Sequence, residues 1–442
     1  MDVHQKFIFA ERQLNEGLIR CDEQAAIQRR ERHDPSARMR CMHKFLSQLN
    51  HPQRGIPAVY VAGTSGKGSV SAAIAGILQR WQLKVGLHVS PYLQVPTEKI
   101  KINGRLISQA EFVDLVDWVM PVAQQFLNET TPASIHGMAS VAIAFEAFRR
   151  AQVDVIVCEA GCGARFDLTN FLDTEVAVIT NVGLDHLQGL GPTLEDIAWH
   201  KAGCATPGKP LLTGATGTAL DIIRDEARTV GALLTEVPPQ QNVFVQNDLL
   251  AQQAARALAQ RMDIPVSANA LREGARDLRL PGRLEPMPTP PQHPLVFLDG
   301  AHNADKLNAA LPALFAKAQH RHPVIAVVGF LGTKAAPELV RPFVDRVQHV
   351  IATEPTVYGK APYPAHDTAK LFHDAGIPNE AIPSPNEALQ RAISLAGSQG
   401  AVLITGSFYL VGQLREQWYP RKTIAEAQTS WPEGNHIKTF GN

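Results

Sequence analysis

Ala62-Gly63-Thr64-Ser65-Gly66-Lys67-Gly68-Ser69 directly follows an apolar run at Ala58–Ala62 and directly precedes a stretch of helical periodicity at Ser69–Trp81. A short run rich in valine, tyrosine and alanine is typical of a strand, and apolar residues three and four apart are typical of a helix. The glycines let the backbone bend with its N–H groups turned inward, and the helix N-terminus adds a partial positive charge. This strand–loop–helix unit predicts a phosphate-binding loop.

Two side chains of this loop indicate a nucleotide phosphate as the ligand. Lys67 supplies a full positive charge, and the hydroxyl of Ser69 is placed to ligate a magnesium ion that bridges phosphate oxygens. The intervening Gly68 departs from the commonest spacing, in which serine or threonine follows the lysine directly. A glycine-rich turn without a ligand is the alternative interpretation. The predicted phosphate-binding residues are Gly63, Thr64, Ser65, Gly66, Lys67, Gly68 and Ser69.

Short apolar runs alternate with longer helical stretches over most of the chain, which is typical of an α/β fold with a mainly parallel sheet. Further strands are predicted at Lys84–Val89, Val153–Cys158, Val176–Asn181, Leu295–Leu298, Val324–Val328, His349–Thr353 and Ala401–Thr405. Further helices are predicted at Gln109–Leu127, Met138–Arg150, Asp248–Leu258, Asp305–Ala318, Ala336–Val344, Ala365–Asp374, Pro385–Leu395 and Tyr409–Gln417.

A proline-rich segment divides this alternation. The segment from Arg283 to Pro294 contains five prolines, counting Pro294, and such a segment cannot lie inside a helix or a central strand. We therefore predict a P-loop-type domain with a mainly parallel sheet at residues 1–284, a linker at residues 285–294, and a smaller Rossmann-like α/β domain at residues 295–442. The polar stretch at residues 421–442 is expected to be loosely held.

The overall charge and composition exclude several classes of protein. The 442 residues include 42 Lys and Arg against 42 Asp and Glu, so no global field attracts nucleic acid or an anionic membrane. No apolar run reaches the ~18 residues of a membrane span, and the first residues do not have the pattern of a signal peptide. We expect a cytoplasmic protein without nucleic-acid or membrane partners. The five cysteines match neither a disulfide scaffold nor a zinc site and are expected to be free thiols.

Polar residues follow two of the predicted strands. Glu159 ends the apolar run Val155–Cys158, and the run Val176–Thr180 leads to Asp185 and His186. The carboxyl end of a parallel strand next to a phosphate loop is a suitable place for a metal ligand or a water-positioning group. A surface glutamate at a strand end and a structural histidine are the alternative interpretations.

These segments together resemble the folylpolyglutamate synthase and dihydrofolate synthase family of the Mur ligase superfamily. The resemblance extends over most of the chain, and the Asp299-Gly300-Ala301-His302-Asn303 element after the proline-rich segment is absent from GTPases and kinases. The other matching segments are Arg38–Arg40, Val61–Ser69, Ser90–Leu93, Glu98–Gly104, Glu159–Asn170, Gly183–His186, Lys201–Gly203, Pro281–Arg283 and Gly406–Leu410.

The resemblance implies an ATP-dependent amide ligase. The γ-phosphoryl group of ATP passes to a substrate carboxylate, and the amine of an amino acid then attacks the acyl phosphate. Lys67 and the loop amides would hold the phosphates, Ser69 and Glu159 would ligate a first Mg²⁺, and His186 would ligate a second metal ion. These ions neutralise charge as two anions approach each other.

The resemblance also implies that Lys201 is carbamylated by carbon dioxide, which turns a cation into a metal-binding carboxylate. Only a neutral lysine can react in this way, so its site is expected to be partly desolvated. The nucleotide contacts that the resemblance implies outside the phosphate loop are Asn247 for adenine, Arg283 and His302 for phosphate, and Asp299, with Asn303 beside it, for ribose.

Two departures from the family pattern concern the acceptor substrate. Relatives that bind a pterin usually carry a Phe-Glu pair where this chain has His136-Gly137, and Tyr92 replaces a histidine. Our leading hypothesis is a monomeric ligase that adds L-glutamate to a folate or dihydropteroate. The alternatives are a diverged relative that uses a non-folate carboxylate and a nucleotide-dependent switch without ligase activity.

Overall fold

A computed structural model describes residues 1–19, 34–127, 129, 131–266, 271, 280–318, 321–332, 337–357 and 361–433. The chain divides into two compact units. Unit 1 comprises Met1–Tyr92 and Pro96–Leu278, and unit 2 comprises Leu93–Val95 and Arg279–Asn442. The short segment Leu93–Val95 therefore belongs with residues that follow it by nearly two hundred positions.

Unit 1 is built on an eight-stranded sheet of order β4-β3-β2-β5-β1-β6-β7-β8. All neighbouring strands are parallel except in the pairs β2–β3 and β3–β4. The strands are β1 (Pro57–Ala62), β2 (Val85–His88), β3 (Ile100–Ile102), β4 (Arg105–Leu106), β5 (Val155–Glu159), β6 (Asp173–Ile179), β7 (Pro210–Thr213) and β8 (Leu233–Glu236).

The helices of unit 1 alternate with these strands. They are α1 (Val3–Leu18), α2 (Pro35–Gln48), α3 (Lys67–Arg80), α4 (Gln109–Leu127), α5 (Ile135–Ala151), α6 (Leu187–Leu190), α7 (Leu194–Ala202), α8 (Gly217–Val230) and α9 (Val243–Arg261). A 3₁₀ turn at Pro96–Lys99 precedes β3. None of the helices in the described part of the chain is long and apolar enough to cross a membrane.

The register of the central strands decides which residues meet at the carboxyl edge of the sheet. In β1, Val61 pairs with Glu159 of β5 and Ala62 pairs with Ile179 of β6. The central strands are fully buried on both faces, as expected for a parallel sheet covered by helices. The phosphate loop, Glu159 and the segment after β6 therefore leave the sheet side by side.

Unit 2 contains a six-stranded sheet of order β13-β12-β11-β14-β10-β9, in which only the pair β9–β10 is antiparallel. Its strands are β9 (Glu285–Met287), β10 (Leu295–Leu298), β11 (Val324–Val328), β12 (His349–Ala352), β13 (Asn379–Ala381) and β14 (Ala401–Thr405). Its helices are α10 (Ala304–Lys317), α11 (Pro337–Val340), α12 (Ala365–Asp374), α13 (Pro385–Ala396), α14 (Phe408–Arg415) and α15 (Arg421–Ala427). The predicted α/β class is confirmed in both units.

The proline-rich segment begins with an edge strand. Pro286 lies in β9, where it pairs with Phe297 at the end of the sheet order, a position that tolerates proline because only one side of the strand needs ladder hydrogen bonds. The predicted helix Ala336–Val344 corresponds to α11 and a following 3₁₀ turn, Arg341–Phe343, and residue 336 lies outside the described residues.

The expectation of a loose tail at residues 421–442 is wrong for residues 421–433, whereas residues 434–442 lie outside the described part of the chain. Helix α15 forms at Arg421–Ala427, and the Trp431 indole donates a 2.7 Å hydrogen bond to Glu285 Oε1. Glu285 also forms a two-pronged ion pair with Arg415, whose guanidinium donates to the Ser430 carbonyl as well. The buried Glu285–Arg415 pair thus anchors the tail at Ser430 and Trp431. The composition of the tail itself does not indicate this anchor.

The Arg415–Glu285 pair yields a stability prediction. Arg415 is fully buried and Glu285 is 6% exposed, so Arg415→Met leaves a carboxylate without its counter-charge in the interior. We expect the free energy of unfolding to fall by about 3–5 kcal/mol. Urea titration followed by tryptophan fluorescence measures it. The control is Arg391→Met, which removes a half-exposed pair with Glu380 and should cost about 1 kcal/mol or less. Equal losses in the two variants would contradict the prediction.

The cysteines agree with expectation as far as the structure describes them. Cys41, Cys158, Cys162 and Cys204 are free thiols, and Cys21 lies outside the described residues.

Candidate functional site

The phosphate loop begins where β1 ends and continues into α3. Gly63 has φ 146° and Gly66 has φ 81°, both in the region that favours glycine. A Cβ atom at position 63 would also lie 1.8 Å from Thr180 Oγ1. The predicted glycines are therefore required both by backbone conformation and by the close approach of the segment after β6.

Lys67 is the first residue of α3. Its Nζ donates to the Gly63 carbonyl at 3.0 Å and to the Thr64 carbonyl at 3.4 Å. The ammonium group is thus folded back over the loop whose N–H groups lie at the helix N-terminus. This arrangement concentrates positive charge where an anion can bind.

The segment after β6 braces the loop through residues that the sequence did not single out. Asn181 Oδ1 accepts hydrogen bonds from the N–H groups of Thr64 and Ser65, at 3.2 and 2.9 Å. Thr180 Oγ1 donates to the Ser65 carbonyl at 2.6 Å, and the Thr64 hydroxyl donates to the Gly183 carbonyl at 3.1 Å. The position of Thr180 and Asn181 at the end of the predicted strand Val176–Asn181 was the only signal for this role.

Glu159, at the end of β5, lies next to the start of α3. Its Oε2 accepts a 3.0 Å hydrogen bond from the Ser90 N–H, and a Cβ at Gly68 would lie 3.3 Å from the same oxygen. Glu159 is 5% exposed. Its neighbour Gly68 directly precedes Ser69 in α3. Glu159 thus lies at the carboxyl end of its strand and next to the phosphate loop, as the strand pattern predicted.

His186 lies on the same braced segment, three residues after Gly183. It adopts a left-handed conformation with φ 52° immediately before α6, and its side chain is 45% exposed. Its Nε2 lies 3.8 Å from a carboxylate oxygen of Asp185.

No group of three or more acidic, histidine or cysteine side chains that could hold a metal ion exists among the described residues. The nearby ligand set of one carboxylate and one hydroxyl nevertheless suits Mg²⁺, which usually retains several waters and is bound by one or two carboxylates together with substrate phosphates. Glu159 and Ser69 therefore fit a magnesium ion that arrives with a nucleotide.

Lys201 lies in the last turn of α7 and is only 2% exposed. The loop Gly161–Arg165 is tied to this helix by a 2.9 Å hydrogen bond from the Arg165 N–H to the His200 carbonyl. Burial and the carboxylate of Asp167 raise the pKa of the Cys162 thiol to about 11.

The cations that oppose this rise in the Cys162 pKa are Lys201, Arg38 and Lys67. The structure therefore brings Lys201 and the phosphate-loop lysine within electrostatic reach of the same loop, although 134 positions separate them in the sequence. Arg38 is the third cation near Cys162. It belongs to the segment Arg38–Arg40 that resembles the family, but the sequence did not indicate a functional role for it. Three positive charges around one loop favour the binding of an anion.

Asn247 lies in α9 against the phosphate loop. A Cβ at Gly66 would be 2.7 Å from Asn247 Oδ1. The predicted helix began at Asp248, whereas α9 begins at Val243, because the Asn242 side chain caps it by accepting from the Phe244 N–H at 2.8 Å. Asn247 is therefore a helical residue beside the loop, within reach of a nucleotide held there.

Two of the predicted residues of unit 2, Arg283 and His302, lie against Phe408. The Arg283 guanidinium lies 4.2 Å from the centroid of the Phe408 ring, and the His302 ring packs edge-on against it. His302 Nδ1 lies 2.9 Å from the Gly300 carbonyl, and its Nε2 lies 3.1 Å from Lys306 Nζ. A carbonyl only accepts, so Nδ1 donates and Nε2 accepts from the lysine. Two cations and an imidazole thus share one face of unit 2.

Asp299 has a structural position in the same region. Its two carboxylate oxygens accept from the N–H groups of Leu284 and Ala301, at 2.9 and 2.8 Å. Burial raises its pKa, while the Arg283 charge acts in the opposite direction. Asn303 caps α10 by accepting from the Lys306 N–H. Asp299 therefore shapes the turns that present Arg283 and His302.

Two family models match the chain. The Mur ligase middle domain matches residues 61–204, and the Mur ligase glutamate ligase domain matches residues 282–408. The first range contains the phosphate loop, Glu159, His186 and Lys201, and the second contains Arg283, Asp299 and His302.

Individual proteins resemble the chain over most of its length. A dihydrofolate synthase/folylpolyglutamate synthase of Bacillus subtilis is 31% identical over 418 residues, which cover 85% of this chain and 94% of that protein. A Mycobacterium tuberculosis folylpolyglutamate synthase complexed with ADP has the same fold, with a TM-score of 0.82 at 24% identity over 95% of this chain and 99% of that one. An Escherichia coli structure in complex with DHPP and ADP gives a TM-score of 0.74 at 25% identity, covering 85% and 92%.

Proposed function

Since this chain belongs to the folylpolyglutamate synthase and dihydrofolate synthase family of Mur ligases, we propose that it adds L-glutamate to the carboxylate of a folate or dihydropteroate. It is an ATP-dependent ligase. The observation that carries the proposal is the phosphate loop with Lys67 folded over it and Glu159 against its Gly68, in a chain that also buries Lys201. A loop that only held a nucleotide would not need a second, buried lysine.

The proposed reaction has two steps. The acceptor carboxylate attacks the γ-phosphorus of ATP and ADP leaves, which produces an acyl phosphate. The glutamate amine then attacks the acyl carbon, loses a proton, and expels inorganic phosphate, which leaves an amide. Lys67 and the loop N–H groups bind the phosphates and neutralise the charge that builds up during transfer.

Asn181 and Thr180 brace the loop, and Asn181 engages the N–H groups of Thr64 and Ser65. The phosphates are therefore proposed to meet the loop N–H groups that follow these two residues. Ser69 and Glu159 would hold Mg²⁺, and His186 a second divalent ion. Such ions reduce the repulsion between the phosphates and an anionic acceptor. Asn247, Arg283, Asp299 and His302 are proposed as the nucleotide contacts outside the loop.

Lys201 is proposed to function as a carbamate. The neutral amine adds to carbon dioxide and releases a proton, so a cation becomes an anion. Its burial supports this proposal, because desolvation favours the neutral amine that must react.

The acceptor distinguishes the leading proposal from its alternative. The relatives are named for folate substrates and one is solved with DHPP, which supports a pterin-type acceptor. His136-Gly137 in place of an aromatic residue and an acid supports a diverged acceptor instead. We favour the pterin-type acceptor, with weaker use than a typical family member shows.

The test is a ligation assay with purified protein, ATP, Mg²⁺, glutamate and dihydropteroate. We expect phosphate release that requires both organic substrates, together with an amide product identified by mass. The controls omit one substrate at a time and replace dihydropteroate with other aryl and alkyl carboxylates. Release without either organic substrate would instead indicate a nucleotide-hydrolysing switch, and a preference for another carboxylate would establish the diverged relative.

A further inference from the structure

Two histidine rings of unit 1 lie against each other, away from the phosphate loop. His43 lies on an exposed part of α2, and His51 lies in the turn between α2 and β1. The His43 ring also lies 6.4 Å from the ring of Phe171, which precedes β6. Strands β1 and β6 are parallel and begin at this end of the sheet, whereas the phosphate loop follows the other end of β1. The histidine pair therefore lies at the amino edge of the sheet.

The backbone of the turn after α2 holds His51 next to the helix. Asn50 and His51 have φ 58° and φ 50°, so two successive residues other than glycine are left-handed. The His51 N–H donates to the Leu46 carbonyl of α2 at 2.9 Å. Left-handed residues other than glycine carry a conformational cost, and such residues are concentrated at functional sites. The reversed chain thus places the His51 ring against that of His43.

One nitrogen of this pair is unsatisfied. His51 Nδ1 is buried and has no hydrogen-bond partner among the described residues. Most buried polar atoms in folded proteins have a partner, and an ion or a water is the usual explanation where the protein supplies none. The His51 side chain is otherwise only partly buried, and His43 is exposed. A small ion can therefore reach the two rings from solvent.

The spacing of the two rings suits one metal ion. Their centroids are 5.3 Å apart, with an interplanar angle of 53°. An imidazole that ligates zinc at about 2.0–2.1 Å has its centroid about 3.2 Å from the ion, and two such rings at a tetrahedral angle have centroids about 5.2 Å apart. Imidazole suits zinc and similar transition metals, whereas Mg²⁺ and Ca²⁺ prefer oxygen ligands. No third acidic, histidine or cysteine ligand joins the pair in the described part of the chain, so water would complete the coordination.

We propose that His43 and His51 together bind one divalent transition-metal ion of the zinc class, which links α2 to the turn before β1. Both residues precede residues 61–204, which the middle-domain model matches. The site shares no residue with the proposed magnesium ligands and does not depend on the proposed ligase reaction. An ion that binds only the folded chain stabilises it by mass action, so the site acts as a clamp at the amino edge of the sheet.

The test is a zinc titration of the full chain without an affinity tag, in excess Mg²⁺ to occupy sites built from oxygen ligands. Competition with a chromophoric zinc chelator gives the stoichiometry and Kd. We expect one zinc ion per chain. His43→Gln and His51→Gln should each raise Kd at least about tenfold, because even the outer-shell partners of metal ligands are worth about 10–100-fold in affinity. The matched controls are His366→Gln, which removes an exposed histidine of unit 2, and His186→Gln, and neither should change Kd.

Two further readouts distinguish metal binding from a structural role of the ring pair. Zinc should raise the unfolding temperature of the wild-type chain and of His366→Gln but not that of His43→Gln. X-ray absorption of the zinc-loaded chain should show nitrogen or oxygen ligands at about 2.0–2.1 Å and no sulfur. Circular dichroism checks that each variant is folded, and the exposure of His43 makes its replacement the milder one. A wild-type chain that binds no zinc, an unchanged Kd in folded His43→Gln, or sulfur ligands would each overturn the proposal.

Discussion

Lys67→Ala is expected to lower kcat/KM for ligation by about a thousandfold or more. The Lys67 ammonium is held over the phosphate loop by the Gly63 and Thr64 carbonyls, so it belongs to the anion site and not to a hydrophobic core. The transferred phosphoryl group gains charge stabilisation from it in the transition state. Steady-state kinetics with ATP, glutamate and acceptor measure the loss.

The same variant should remain folded. Its loss of one or two hydrogen bonds costs about 1 kcal/mol, which thermal unfolding monitored by circular dichroism will show. Lys84→Ala is the matched control, because it removes an exposed lysine of the same unit and should leave kcat/KM unchanged. Ordinary ligation rates in Lys67→Ala would refute the phosphate-loop assignment.

Lys201→Ala should lower kcat at least a hundredfold, and a small carboxylic acid such as acetate or propionate should restore part of the activity. The proposed working group is a carbamate, and a free carboxylate that enters the space left by the side chain supplies the same negative oxygens. Lys201 is 2% exposed, so its removal leaves a cavity that is shielded from bulk water. The measurement is kcat as a function of added acid at constant ionic strength.

Intact-protein mass after trapping under carbon dioxide provides an independent readout of the same proposal. The adduct should appear on the wild-type chain and be absent from Lys201→Ala. Sodium chloride at matched concentration serves as the control for a general salt effect. Absence of both rescue and adduct would assign Lys201 to direct phosphate binding through its positive charge.

Much of the secondary structure is local and followed from the sequence. The strands Leu295–Leu298, Val324–Val328 and Ala401–Thr405 and the helices Gln109–Leu127 and Ala365–Asp374 have the predicted bounds. The helices carry apolar residues at helical spacing, and the strands are short continuous apolar runs typical of buried parallel strands. Neither pattern depends on distant parts of the chain.

Helix α1 and the ordered part of the C-terminal tail could not be predicted from local composition. Helix α1 buries Phe7, Ala10, Leu14 and Leu18, which share one face, but it was not among the predicted helices. The ordered tail is held by Arg415 together with Glu285, and Glu285 lies 146 positions before Trp431 in the sequence. In both cases the stabilising contact is with another element.

The sequence by itself determined the phosphate loop, the α/β class and the family, because glycine conformations, helix periodicity and short ordered motifs are properties of neighbouring residues. Only the tertiary structure decided that Asn181 braces the loop, that Asn247 lies against Gly66, and that Glu159 lies against Gly68. The strand order β5-β1-β6 brings these distant residues to one edge of the sheet. That order arises from packing of the whole sheet, which no local pattern encodes.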